Sequence, residues 1–239
     1  MGETSEILET FFSNAIIEER SCREDVDHFA KECAVTLEKA SGIEKRQPLS
    51  SRHNGISKIL PTLYLCGANA ARPDVLVDLG ITLIINVAPE LPDTPLPEPP
   101  PDYLRISILD KGENNIMKHF NEVTRRIETE RLNGGTSLVH CVAGVSRSTS
   151  ICLAYLMRYM KMTLRDAFLY VKATRPQIRP NVGFFRQLIA YETEILGLST
   201  VSMIFIEAIG QEVPDVYAPQ YKAMEQFYRK HRKHARRRD

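Results

Sequence analysis

Nine consecutive residues carry the plainest chemistry in this sequence: His140-Cys141-Val142-Ala143-Gly144-Val145-Ser146-Arg147-Ser148. A thiol stands at the end of an apolar run, a short stretch of small, neutral residues follows, and an arginine arrives just as a helical pattern begins near Ser148. A loop of that length can turn several peptide N–H groups inward, and the first turn of the helix adds unsatisfied donors of its own. Together they form a nest for a tetrahedral dianion. Gly144 supplies the positive φ or close approach that the curl needs. Arg147 brings a planar fork that grips two phosphate oxygens at once. The donors and charge that favour a phosphate also favour a thiolate at Cys141. Ser148 is placed to donate to that sulfur and help it leave. The chemistry is transfer of a phosphoryl group to sulfur and then to water, with residues 142–147 stabilising the equatorial oxygens in both steps.

Such a reaction needs a proton donor for the departing oxygen. Asp110 ends the run YLRISIL (103–109), which reads as a strand, so its carboxyl is expected at the same sheet edge as Cys141. The following KGENN reads as a loop able to swing Asp110 over the anion. Once ionised, the same group would activate water. His140 reads as a buried support of the loop, and Asn181 as a cap of the next helix. The other cysteines, Cys22, Cys33, Cys66 and Cys152, read as core filling.

The elements that must position these groups alternate between two periodicities. ISKIL and LYLCG read as short strands, PDVLVDLG as a brief helix begun by Pro73 and stopped by Gly80, and ITLIINVA as a buried strand. APELPDTPLPEPPPD (88–102) holds 7 of the 14 prolines and reads as a surface excursion, partly polyproline II and chiefly a solvated spacer. A helix is expected over 116–132, a strand at SLVHC, and helices from Ser148, over 163–173 (capped by Thr163) and over 181–197. Strands alternating with helices imply an α/β layered domain with a central, mostly parallel sheet. Residues 3–41 show two amphipathic helical stripes, followed by a linker.

Residues 1–47 carry 11 acidic and 6 basic side chains, whereas 229–239 carry 7 basic and 1 acidic. With a total of +1, the region between is neutral and offers no large positive field for nucleic acid. The tail could form a basic helix with Tyr221, Met224, Phe227 and Tyr228 along one side. It leaves an anionic membrane, RNA and the nuclear import machinery open as partners beside a plain solvated end. No stretch is long and apolar enough for a transmembrane segment, and the N-terminus lacks a secretory pattern. Five unclustered cysteines argue against disulfides or a zinc site, and so for a cytoplasmic and/or nuclear location.

HCVAGVSRS resembles the H-C-x-x-G-x-S-R-S signature of the dual-specificity branch of the protein tyrosine phosphatases. LPTLYLCG, INVA, ISILDKGENN, SICLAYLMRYM, RPQIRPNVGFFRQL and PDVY look like family segments, the last like short atypical members, over about residues 54–217. The resemblance implies a protein tyrosine phosphatase-like fold and hydrolysis of phosphotyrosine and phosphoserine or phosphothreonine in proteins. It makes Cys141 the nucleophile, Arg147 the clamp, Asp110 the general acid, Ser148 the thiolate partner and Asn181 a supporting residue, with no metal or cofactor. Val142, Ala143 and Val145 depart from the lysines of lipid-directed relatives. The expected division is 1–50 as a helical extension and linker, 51–200 as the catalytic domain, 201–218 as a segment packed on it, and 219–239 as the basic tail.

Overall fold

A run that is apolar on both faces can be a strand only where both faces are covered, and two such runs fill the middle of the sheet. The computed structural model describes residues 53–235, with side chains as far as Phe227. The amphipathic stripes read within residues 3–41 lie outside the described residues.

β1 (Ile56–Leu60), β2 (Leu63–Gly67), β3 (Leu83–Asn86), β4 (Asp102–Arg105) and β5 (Ser137–Cys141) form one sheet in the order β1-β2-β5-β3-β4. β1 pairs with β2 antiparallel through a tight turn, and the other three pairings are parallel. Every residue of the central β3 and β5 is buried.

Helices cover both faces of the sheet. α1 (Pro73–Asp78) starts with proline at its first position, where no N–H is needed. α2 (Met117–Leu132) buries Phe120, Val123, Thr124 and Ile127, a single stripe at helical spacing. α3 (Arg147–Met160) is buried along its first eleven residues and forms the spine of the helical layer. α4 (Leu164–Thr174) begins at Thr163, whose side chain accepts from the Asp166 N–H at 3.1 Å. α5 (Val182–Leu196) begins at Asn181 and ends at Gly197, which has φ of +70°.

Two differences from the sequence reading have physical causes. The strand expected over 103–109 stops at Arg105. β4 is an edge strand whose only neighbour, β3, ends at Asn86, opposite Arg105. The Ile106 N–H still reaches the Asn86 carbonyl at 2.8 Å, and beyond it no ladder partner remains. Ile106 and Ile108 stay buried as loop residues, so their alternation reports burial alone. Asp110 therefore lies in a loop five residues past the strand. The second difference is a hairpin, β6 (Met203–Ile206) with β7 (Gln211–Pro214), that the sequence did not announce. Its Ile206 and Val213 join the core against α5.

The chain then runs through a 3-10 turn into α6 (Ala218–Ala235). Tyr217 packs its ring against Phe168 and Phe185 at centroid separations of 5.7 and 5.3 Å, contacts worth about 0.5–1.5 kcal/mol each beyond their buried area. Its hydroxyl donates to the Pro180 carbonyl at 2.7 Å. That bond ties the segment after the hairpin to the residue before Asn181.

Candidate active site

In an open sheet of parallel strands, ligands gather at the carboxyl edge, where loops rather than ladders present the backbone. β2, β3, β4 and β5 all end at that edge, and β5 ends on Cys141.

Residues 142–146 curl from Cys141 into α3. Gly144 has φ of +67°, and a Cβ there would stand 2.4 Å from the Cys66 carbonyl oxygen, so conformation and space both require glycine. Loop carbonyls are taken from outside: Val142 accepts from the Ala68 N–H at 3.0 Å and Val145 from the Arg179 N–H at 2.9 Å. With carbonyls turned out, the peptide N–H groups of 142–147 turn the other way, and none finds a protein acceptor among the described residues. Orphaned donors on this scale are what an oxyanion satisfies.

Arg147 is 3% exposed, and its donors can be counted. A guanidinium has five N–H groups. Nη1 gives one to Glu90 Oε2 at 2.8 Å and one to the Ile108 carbonyl at 3.1 Å. Nη2 gives one to Glu90 Oε1 at 2.5 Å. What remains is Nε–H and the second Nη2–H, which share one edge of the plane. Nε is buried and has no hydrogen-bond partner among the described residues, with Asp110 Oδ2 3.9 Å away. Glu90 thus occupies the far end of the fork and leaves the side edge for a bidentate anion. The Arg147 hydrogen bonds hold the Glu90 carboxyl below the usual carboxylate range, against the upward push of its partial burial.

Cys141 Sγ accepts from the Ser148 hydroxyl at 3.1 Å, at the start of α3. Cys66 and Cys152 lie in the core. Burial pushes the Cys66 thiol up to about 12 and the Cys152 thiol up as well, leaving both inert. His140 is buried, and that burial pulls its pKa down to about 4, so the ring is neutral. Its Nε2 sits 2.8 Å from the Thr94 hydroxyl and its Nδ1 3.4 Å from the Cys141 carbonyl.

Asp110 lies over the loop. Its Oδ1 accepts from the Ser146 hydroxyl at 2.7 Å and from Asn181 Nδ2 at 2.6 Å. Oδ2 takes no hydrogen bond among the described residues, and is the oxygen available to carry a proton. Asn181 does three things: its Oδ1 accepts from the Phe184 N–H to start α5, its Nδ2 holds Asp110, and its backbone N–H donates to Ser146 Oγ at 3.0 Å. In this conformation the loop after Asp110 is tied to α5. Gln187 of α5 accepts from the Ile116 and Met117 N–H groups and donates to the Asn114 carbonyl. Gly112 lies flush on Gly183, where a Cβ would come within 2.1 Å of the Gly112 oxygen.

Val142 is exposed at the mouth, Ala143 is exposed and Val145 half-buried, so the variable positions present small neutral surface. The proline-rich excursion is more than a solvated spacer, because Glu90 and Thr94 from it reach Arg147 and His140. Sequence reasoning missed Glu90. Its signal was position: it follows the buried strand LIIN by four residues, at the same edge as Cys141.

With this geometry in hand, the relatives are informative. Residues 63–194 match the family model described as dual specificity phosphatase, catalytic domain. Dual specificity protein phosphatase 14 of Homo sapiens is 42% identical over 164 residues, covering 68% of this chain and 81% of that protein. Dual specificity protein phosphatase 18 of Pongo abelii is 37% identical over 183 residues, covering 76% and 94%. The crystal structure of human DUSP28 superposes with a TM-score of 0.57 at 33% identity, covering 64% of this chain and all of that one.

Proposed function

The chain belongs to the dual-specificity protein phosphatases, and from that premise we propose that Cys141, Arg147, Asp110 and Ser148 carry its reaction. The enzyme hydrolyses phosphotyrosine and phosphoserine or phosphothreonine in proteins through a phosphocysteine intermediate. In the first step the Cys141 sulfur donates an electron pair to phosphorus, the bond to the substrate oxygen breaks, and Asp110 passes its proton to that oxygen. In the second, Asp110 takes a proton from water as the water oxygen attacks phosphorus. The S–P bond breaks, and Ser148 steadies the departing thiolate. Throughout, the 142–147 amides and the open edge of Arg147 face the equatorial oxygens. His140 and Asn181 support the geometry without touching the phosphate.

The observation that carries this reading is the donor count on Arg147: two N–H groups remain on one edge, beside a loop whose amides have no acceptor among the described residues. The test is turnover of an aryl phosphate and of matched phosphotyrosine and phosphothreonine peptides. Cys141→Ser should be inactive, and Asp110→Ala should slow turnover by roughly a hundredfold or more while still binding peptide. Cys141→Ser protein as active as wild type would rule the assignment out.

For the tail, 229–239, we propose an electrostatic anchor to a polyanionic surface, whether anionic membrane, RNA or import machinery, supported by its 7 basic residues against 1 acidic. Its deletion should abolish binding to anionic vesicles or RNA and leave aryl phosphate turnover unchanged. Equal binding by the truncated chain would refute the anchor. Cys66, Cys141 and Cys152 are all free, which supports residence in a reducing compartment, cytoplasm or nucleus. Fluorescence imaging of a tagged chain checks this, and secretion would contradict it.

A further inference from the structure

Beneath the catalytic loop lies a buried cation that the reaction as described does not use. Arg175, just past the end of α4, is 4% exposed. Its Nε donates to the Gly144 carbonyl at 2.7 Å and its Nη2 to the Ala143 carbonyl at 3.0 Å. Its Nη1 donates to the Gly55 carbonyl at 2.9 Å and lies 3.4 Å from Ser57 Oγ on β1. With its oxygen turned to the guanidinium, the Gln177 amide adds contacts at 3.2 Å to both terminal nitrogens. The charged or titratable groups that face it are the thiols of Cys66 from β2, Cys141 from β5 and Cys152 from α3. No carboxylate pairs with it among the described residues, which is unusual for a buried guanidinium. Burial pushes its pKa down, and those three cysteines push it back up.

We propose that Arg175 is a positioning residue that fixes the catalytic loop from behind and serves as the buried counter-charge of the Cys141 thiolate. A peptide unit holds its C=O and N–H on opposite sides. Gripping the Ala143 and Gly144 carbonyls from below therefore aims the next N–H groups, those of Gly144 and Val145, up at the phosphate. Val142 and Val145 are held the same way by single backbone donors, whereas Arg175 holds two adjacent carbonyls with one rigid fork. The fork also explains why the carbonyls of this loop do not turn inward, where they would repel an anion. Gly144 is fitted to it: a Cβ there would stand 2.7 Å from Arg175 Nη2. The inference rests on the phosphatase reading and adds a second cation to it, one that never touches substrate.

Arg175→Met and Arg175→Lys, made in the full chain and checked for folding by circular dichroism, test it against wild type. Three quantities are read: kcat/KM for an aryl phosphate, inhibition by orthovanadate, and the pH dependence of Cys141 alkylation by iodoacetamide. Arg175→Met loses fork and charge, so kcat/KM should fall roughly a hundredfold and vanadate should bind about tenfold more weakly. Its alkylation midpoint should move to higher pH by about half a unit or more. Arg175→Lys keeps the charge and loses the fork. Its vanadate binding and kcat/KM should fall comparably while its alkylation midpoint stays with wild type. Should the methionine variant fail to fold, Arg175→Gln, which also loses fork and charge, takes its place with the same expected changes. A folded variant that melts earlier yet matches wild type in vanadate binding and alkylation would overturn the proposal, leaving Arg175 a structural brace only. Wild type inert towards the aryl phosphate would sink the phosphatase reading itself; active wild type with indifferent variants would sink only this inference.

Discussion

Glu90 invites opposite expectations, and the geometry chooses between them. A carboxylate bonded to the phosphate clamp could be a competitor that substrate must displace, in which case removing it would speed the enzyme. The donor count says otherwise, because Glu90 takes the Nη1–Nη2 end and leaves the Nε–Nη2 edge open. Its effect is to hold a guanidinium whose other hydrogen-bond partner among the described residues is the Ile108 carbonyl. Glu90→Gln is nearly isosteric, keeps one acceptor oxygen and loses the charge. A hydrogen bond between charged groups contributes about 1.5–3 kcal/mol, and the Glu90 side chain is 37% exposed, which discounts that figure. A loss of about 1–2 kcal/mol of alignment converts to roughly five- to thirtyfold in kcat/KM. Glu90→Ala also strands the buried charge, so it should lose a hundredfold or more and melt several degrees lower. The assay is steady-state hydrolysis of an aryl phosphate, with orthovanadate inhibition as an independent reading of the anion site. Variants as fast as wild type, or faster, would refute the orienting role and make Glu90 a competitor.

Other consequences can be tested separately. Burial holds the His140 pKa at about 4 against 6.5 for the free side chain, so the unfolded chain binds the extra proton first as pH falls. Stability from this group is full above about pH 6.5 and is lost on descending towards 4. Urea unfolding at pH 7 and pH 5 should show about 2 kcal/mol more loss in wild type than in His140→Gln, and equal losses would contradict the neutral buried ring. Ser148→Ala removes the donor to the thiolate at 3.1 Å, so breakdown of the intermediate should slow about ten- to a hundredfold, giving a product burst in stopped-flow traces; linear traces at the wild-type rate would argue against the role. Gly183→Ala would force a Cβ to 2.1 Å from the Gly112 oxygen and lift the Asp110 loop off α5. It should lower kcat towards the Asp110→Ala level while vanadate affinity stays near wild type, and an unchanged kcat would refute the pinned loop.

What could be read from the chain was whatever is local in sequence. The α/β layering showed because apolar runs such as LIIN and SLVHC and the stripe of α2 carry their periods on their faces. The loop from Cys141 to Arg147 showed because its residues are contiguous. β4 was read too long because Ile106 and Ile108 alternate like strand residues while β3 has already run out. Glu90 was hidden by the prolines around it, whose composition says surface even though one side chain turns inward. Arg175 was invisible for a different reason: its partners are backbone carbonyls 31 and 32 residues away, and a carbonyl has no residue type to recognise.

Cys141 as the atom that accepts the phosphoryl group can be tested by catching it in the act. An acid quench during turnover, followed by tryptic digestion and mass spectrometry, should find one phosphoryl group on the peptide 132–147, at Cys141, enriched in Ser148→Ala and missing in Cys141→Ser. A phosphoryl group on any other side chain, or rapid turnover with none ever found on this peptide, would contradict it.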